Sequence, residues 1–148
     1  MNKSDNFPES FYRVSVRGLM RDGDKFLFGR HKVEVGIWET FGGGLDFGED
    51  LHAALKREIF EEMGCEVSYI SEKPILILPH IVHNKRNMDW FYNLPIYYEV
   101  EFDPSKVNLS LQYSELKWFS IDEIQELSLF EGEEGIREGF KSLVSDCN

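Results

Sequence analysis

From Tyr12 to Met20 the chain alternates in character, and Asp22-Gly23 is a turn signal ahead of a short run from Lys25 to Phe28. Two such segments about a glycine turn predict a β-hairpin. The mixed stretch Arg30 to Thr40 reads as a loop with Trp38 as its large anchor, and Phe41-Gly42-Gly43-Gly44 is too rich in glycine to predict regular structure. Leu51 to Met63 has helix-forming composition and ends at Gly64, where a C-capping glycine belongs. Cys65 to Ile70 and Pro74 to Leu78 predict strands, and His83 to Asn87 a polar break. Trp90 to Phe102 predicts a long strand in which Pro95 calls for an edge position or a bulge. After a loop at Asp103 to Gln112, Leu116 to Phe119 predicts a short strand. Ser120-Ile121-Asp122-Glu123 matches a capping box opening a helix to about Leu127, and Gly132 to Val144 predicts a closing helix. No repeat, low-complexity tract or linker interrupts the series. The pattern is that of one mixed α/β domain over residues 1–148, strands outnumbering helices, with residues 1–10 loosely ordered.

Composition changes this picture little; charge changes it more. A chain of 148 residues is large enough for one real core, and 42% hydrophobic with 29% charged residues is the balance of a soluble globular protein. The net charge of −11, from 27 acids against 16 bases, argues against a nucleic-acid polymer or an anionic membrane as partner, since both need an excess of Lys and Arg. A polyanionic small molecule would need a positive mediator, and a bound divalent cation is the simplest. Cys65 and Cys147 are too few for a disulfide framework and read as a small buried hydrophobe and a thiol near the terminus. The N-terminal residues have no signal-type apolar run and no later stretch approaches transmembrane length, so the cytoplasm is the expected location.

The chemistry gathers between Gly43 and Cys65. At about 100° per residue, Glu58, Glu61 and Glu62 stand at i, i+3 and i+4 within about 100° of arc, beside an apolar stripe of Leu51, Leu55 and Ile59. The three acids therefore border the buried face. Like charges at this spacing destabilise a helix by roughly 0.2–0.5 kcal/mol per pair. Glu61 and Glu62 also oppose the macrodipole in the last turn. Taken alone, an acidic run is most often a solvated face. A hard divalent cation reverses the argument, because converging carboxylate oxygens are what Mg²⁺ or Mn²⁺ requires.

Gly43, five residues, Glu49, seven residues, then Arg57-Glu58-Ile59-Phe60-Glu61-Glu62-Met63-Gly64-Cys65 resembles the Nudix box position by position over 23 contiguous residues. Cys65 stands where an aliphatic residue is usual, and Phe41-Gly42-Gly43 where the family commonly has Pro-Gly-Gly. Arg30 and Trp38 upstream, and Lys117-Trp118-Phe119-Ser120 downstream, agree with the flanks of the pattern, so the resemblance spans residues 12 to about 128. It implies an α/β fold, the Nudix α/β/α sandwich with a mixed β-sheet between helices. It also implies a hydrolase of phosphoanhydride bonds in a small-molecule nucleotide derivative.

The resemblance further implies roles. Glu58, Glu61 and Glu62 would be ligands of Mg²⁺, with Mn²⁺ able to substitute, joined by the backbone carbonyl of Gly42. One of these glutamates, or an acid on a later loop, would be the base towards water, with Glu58 preferred. Arg57 and Glu49 would form a salt bridge fixing the loop to the helix. Glu115, just before the Trp118 strand, is a candidate further ligand or base beside the reading of an ordinary exposed acid. Arg30 is a candidate phosphate contact, Gly43 a substrate contact, and Trp38, Phe41, Trp90 and Tyr92 candidate stacking surfaces or simply core. His80 and His83 carry no assigned role.

Substrate choice lies outside the box. Pro79, fifteen residues past Gly64, matches a feature of some ADP-ribose-cleaving members and equally well ends a strand. The preferred substrate is a nucleoside diphosphate linked to another moiety, of the ADP-ribose or nucleotide-sugar type. The rivals are a nucleoside-triphosphate pyrophosphohydrolase that clears damaged nucleotides and a non-catalytic nucleotide-sugar-binding module. The intact set of box acids argues for catalysis. A homodimer is left open.

Overall fold

In the computed structural model, residues 12–84, 89–130 and 135–145 are described, without the side chains of residues 80–84, 89–91 and 136. Strand β1, Tyr12–Leu19, places Val14, Val16 and Gly18 on one face and Ser15, Arg17 and Leu19 on the other. That alternation sorts the core into two clusters. Val16 packs with helix α1, Leu51–Met63, through Leu55, Ile59 and Met63, and Leu19 packs with Phe26, Phe28, Tyr97 and Phe140 in the second cluster.

One mixed sheet is built around β1 and β9, Asp89–Glu101. These two run parallel, with β5, Phe41–Gly44, antiparallel on the far side of β1. The other edge of β9 carries three short antiparallel partners: β6 (Tyr69–Ile70), β7 (Leu76–Ile77) and β8 (His80–Asn84). A second sheet joins β10, Tyr113–Ser120, to β3, Lys25–His31, which also pairs with β2, Arg21–Asp22, and β4, Trp38–Glu39. Along β9, Tyr98 and Val100 face the α1 cluster while Tyr97 faces the other, where α3 (Ile136–Ser145) inserts Phe140. α2, Ile121–Glu126, adds Ile124 to that second cluster. The result is the expected α/β sandwich, with a mixed sheet and helices.

Both ends of α1 follow from its sequence. The Asp50 side chain accepts the Ala53 N–H at 3.0 Å, and Gly64 takes a left-handed φ of +66° while its N–H reaches the Phe60 carbonyl at 2.7 Å. The Ser120–Glu123 capping box opens α2 as expected.

Several local expectations change. The hairpin expected of Tyr12–Met20 with Lys25–Phe28 forms only between β2 and β3, because β1 pairs with β5 and β9 in the other sheet. The polar break expected from His83 begins later, since β8 carries its pairing through His83 and Asn84. The Phe41–Gly44 segment is a strand, because its backbone is registered on β1 from Gly18↔Phe41 to Ser15↔Gly44 without needing side chains. The stretch from Arg30 to Thr40 is not all loop: β3 runs on to His31, and Trp38–Glu39 pair with Gly29 and Arg30. Of the strands expected at Cys65–Ile70 and Pro74–Leu78, only two residues each are paired. Pro95 is not on an edge strand, since β9 has partners on both sides. It falls where the ladder breaks between β7 and β8: the Leu78 N–H approaches the Pro95 carbonyl at 3.5 Å, and proline has no N–H to return.

Candidate active site

The glycine strand β5 and the acidic turn of α1 meet edge to face, and one arginine ties them. Arg57 grips Glu49 with two donors, Nε at 2.7 Å and Nη2 at 2.8 Å, and Nη2 also reaches the Gly44 carbonyl at 3.3 Å. Its Nη1 lies 2.9 Å from Glu58 and 3.3 Å from Glu61. The Arg57 guanidinium holds the Glu49 carboxyl down to about 2, and Arg57 is itself pushed further up by Glu49. The expected loop-to-helix ion pair is therefore present in the fork geometry that lysine cannot copy.

The three box glutamates occupy different environments. Glu61 is exposed. Glu58 is half-buried, with its carboxylate against Gly43, where a Cβ would collide with Oε2. Glu62 is 7% exposed, and its Oε2 accepts both the Gly42 N–H and the Tyr113 hydroxyl at 3.1 Å. Gly42 has φ of +138°, which favours glycine, and a side chain there would strike the β1 backbone. Burial pushes Glu62 up to about 8; the Arg17 charge works against this and the Glu39 charge adds to it. Burial and the same two acids also raise Tyr113.

Behind Glu62 lies a polar network that the motif did not disclose. Arg17 Nη1 donates to the Gly42 carbonyl at 2.8 Å, its Nε donates to Thr40 Oγ1 at 3.0 Å, and its Nη2 reaches the Thr40 carbonyl. The same group lies 3.9 Å from the buried carboxylate of Glu39, which accepts Gln112 Nε2 at 2.9 Å. These partners are 23 and 73 positions apart in sequence, so no local pattern joins them. Arg17 stands in an alternating strand that also carries Arg13 and Ser15, so nothing in the sequence of β1 singles it out.

Among the described residues, no three acids, histidines or cysteines stand together as a ready cation cage. Glu58 and Glu61 lean on Arg57, and Glu62 on Gly42 and Tyr113. The donor chemistry still fits a hard divalent cation. Three carboxylates share one helical turn, and the bare Cα of Gly43 lets Glu58 approach the glycine strand. The Gly42 carbonyl, bonded to Arg17, keeps a second lone pair.

The other candidate residues have their own partners. Glu115 faces Arg30 across the β10–β3 pair at 3.7 Å, and among the described residues neither bonds to the α1 acids. Phe41 is fully buried edge-on to Phe102 and Tyr113, a core ring and not a stacking surface. Trp38 is half-buried against Phe119, with ring centroids 4.8 Å apart. Tyr92 is exposed and tilted on Tyr12. Pro79 sits exposed in the break between β7 and β8, where it ends a strand. Cys65 is buried and free. Cys147 and the side chains of His80, His83 and Trp90 lie outside the described residues. No helix among the described residues is long and apolar enough to cross a membrane.

Comparison with known proteins gives a consistent result. The family model described as the NUDIX domain matches residues 11–141. Nudix hydrolase 25 of Arabidopsis thaliana is 28% identical over 140 residues, covering 82% of this chain and 79% of the relative. The fold resembles the MutT protein of Methanosarcina mazei Go1 with a TM-score of 0.73 at 21% identity, covering 96% of this chain and 99% of that one. It resembles a structure titled UDP-X diphosphatase with a TM-score of 0.66 at 15% identity, covering 98% of this chain and 68% of that one.

Proposed function

Because this chain belongs to the Nudix family of hydrolases, we propose that it cleaves the pyrophosphate bond of a nucleoside diphosphate linked to a second moiety, of the ADP-ribose or nucleotide-sugar type. The observation that carries this reading is the junction of α1 with the glycine strand. There Glu62 is bonded to Gly42 and Glu58 lies against Gly43, with Arg57 spanning both segments. One fold relative is titled a UDP-X diphosphatase, which is this class of bond on this scaffold.

Nudix hydrolases use divalent metal ions; here Glu58, Glu61, Glu62 and the Gly42 carbonyl would hold Mg²⁺, or Mn²⁺ in its place. Glu115, engaged by Arg30, stands outside that set. When bound, such a cation neutralises phosphate charge and lowers the pKa of a coordinated water. The chain's own groups do the rest. Glu58 takes the proton of the attacking water, whose oxygen bonds to one phosphorus as the bridging P–O bond breaks and the other phosphate departs. Arg57 does not clamp phosphate; it fixes the loop and the helix relative to each other.

The test is a substrate panel with Mg²⁺ or Mn²⁺: ADP-ribose, nucleoside-diphosphate sugars, dinucleoside polyphosphates and oxidised nucleoside triphosphates, with products resolved by chromatography. Two monophosphate products from a diphosphate-linked substrate are expected. Inorganic pyrophosphate from triphosphates alone would assign the enzyme to nucleotide clearance instead. Full turnover in excess chelator would remove the cation from the reading, and binding of the sugar nucleotides without turnover would leave a sensor.

A further inference from the structure

We infer that Tyr113 is a positioning residue that fixes Glu62 as a one-oxygen ligand; this rests on Glu62 holding the divalent cation, as proposed above. Glu62 Oε2 is occupied by two donors, the Gly42 N–H and the Tyr113 hydroxyl, both at 3.1 Å, while among the described residues no hydrogen bond engages Oε1. A carboxylate held in this way presents a single oxygen in a fixed direction.

The tyrosine is held as firmly as the acid. Its ring is 1% exposed and packs edge-on against Phe41, with centroids 5.5 Å apart at 84°. On the other side it lies over Gly29, where an added Cβ would come within 2.5 Å of the ring. The aromatic pair Phe41 and Tyr113 braces the glycine strand, and the hydroxyl carries that bracing to Glu62. Groups that orient a metal ligand typically change metal affinity 10–100-fold when removed.

The test is titration of the full chain with Mn²⁺, followed by calorimetry and by the electron paramagnetic resonance signal of free Mn²⁺, on wild type, Glu62→Gln and Tyr113→Phe. Melting temperatures in chelator are recorded alongside. Loss of binding in Glu62→Gln and at least about tenfold weaker binding in Tyr113→Phe is the expected result. Wild-type affinity in Tyr113→Phe, whatever its melting temperature, would overturn the positioning role and leave Glu62 as a ligand. Wild-type affinity in Glu62→Gln would remove Glu62 from the ligands, and the role of Tyr113 with it. Gly29→Ala is a second route, since its methyl displaces the tyrosine ring without deleting the hydroxyl. It should weaken Mn²⁺ binding likewise, and unchanged affinity in that folded variant would also count against the inference.

Discussion

At the residue scale, the unusual group is Glu62, an acid buried at the end of a helix with its pKa pushed up to about 8. An unfolded glutamate ionises near 4.5, so between about pH 4.5 and 8 the native chain holds a proton that the unfolded chain has released. Without cation, stability should therefore fall as pH rises through that window and level off above about 8. Denaturant midpoints in chelator from pH 5 to 9 check this, and Glu62→Gln should remove the part of the slope due to this acid. A cation needs the ionised form, so its affinity should rise with pH over the same window, with proton release on binding. Gly43 gives a second prediction. Its missing side chain is what lets Glu58 approach, and the colliding atoms belong to a flexible carboxylate. Gly43→Ala should thus keep the melting temperature nearly unchanged while lowering kcat by at least about tenfold, the scale of a lost positioning contact. The acids of the box stood out in the sequence only through the full 23-residue pattern, since their spacing alone reads equally as a solvated face. Their companions Arg17, Glu39 and Gln112 did not, because they reach the site from three separate strands or loops.

At the element scale, α1 was readable throughout, and the reason is physical. A helix satisfies its backbone locally, so composition, an N-cap and a C-cap glycine determine it together. The two-residue strands β2, β4, β6 and β7 carry no such signal for their bounds, since how far each pairs is decided by the backbone of β3 or β9 alongside it. The glycine strand is the extreme case, having no side chains to alternate after Phe41. The caps and the arginine brace of α1 predict opposite outcomes. Asp50→Ala removes a cap worth about 1 kcal/mol. It should lower the melting temperature by roughly 2–4 °C and leave turnover at 25 °C intact. Arg57→Lys loses the double grip on Glu49 and the link to Glu58. It should lower kcat about 10–100-fold with a smaller effect on stability. Thermal melts and steady-state kinetics on the two variants separate holding the helix together from holding it in place.

At the scale of the whole molecule, the chain carries 27 acids against 16 bases and is proposed to act on a polyanion. Long-range steering therefore opposes the encounter, and attraction must come from the local site once a divalent cation is in it. Enzymes that gather anions with a basic surface lose kcat/KM as salt screens the attraction. Here the far field has the other sign. Raising monovalent salt shortens the Debye length from about 30 Å at 0.01 M to about 8 Å at 0.15 M, which screens the distant acids before it reaches contacts inside the site. With Mg²⁺ kept saturating and the salt changed only in its monovalent part, kcat/KM for a diphosphate-linked substrate should rise or stay level across this range, with kcat constant. Stopped-flow or initial-rate measurement at substrate well below KM reads this directly. A steep fall with salt would mean that a cationic surface, and not the cation-loaded acidic turn of α1, draws the substrate in.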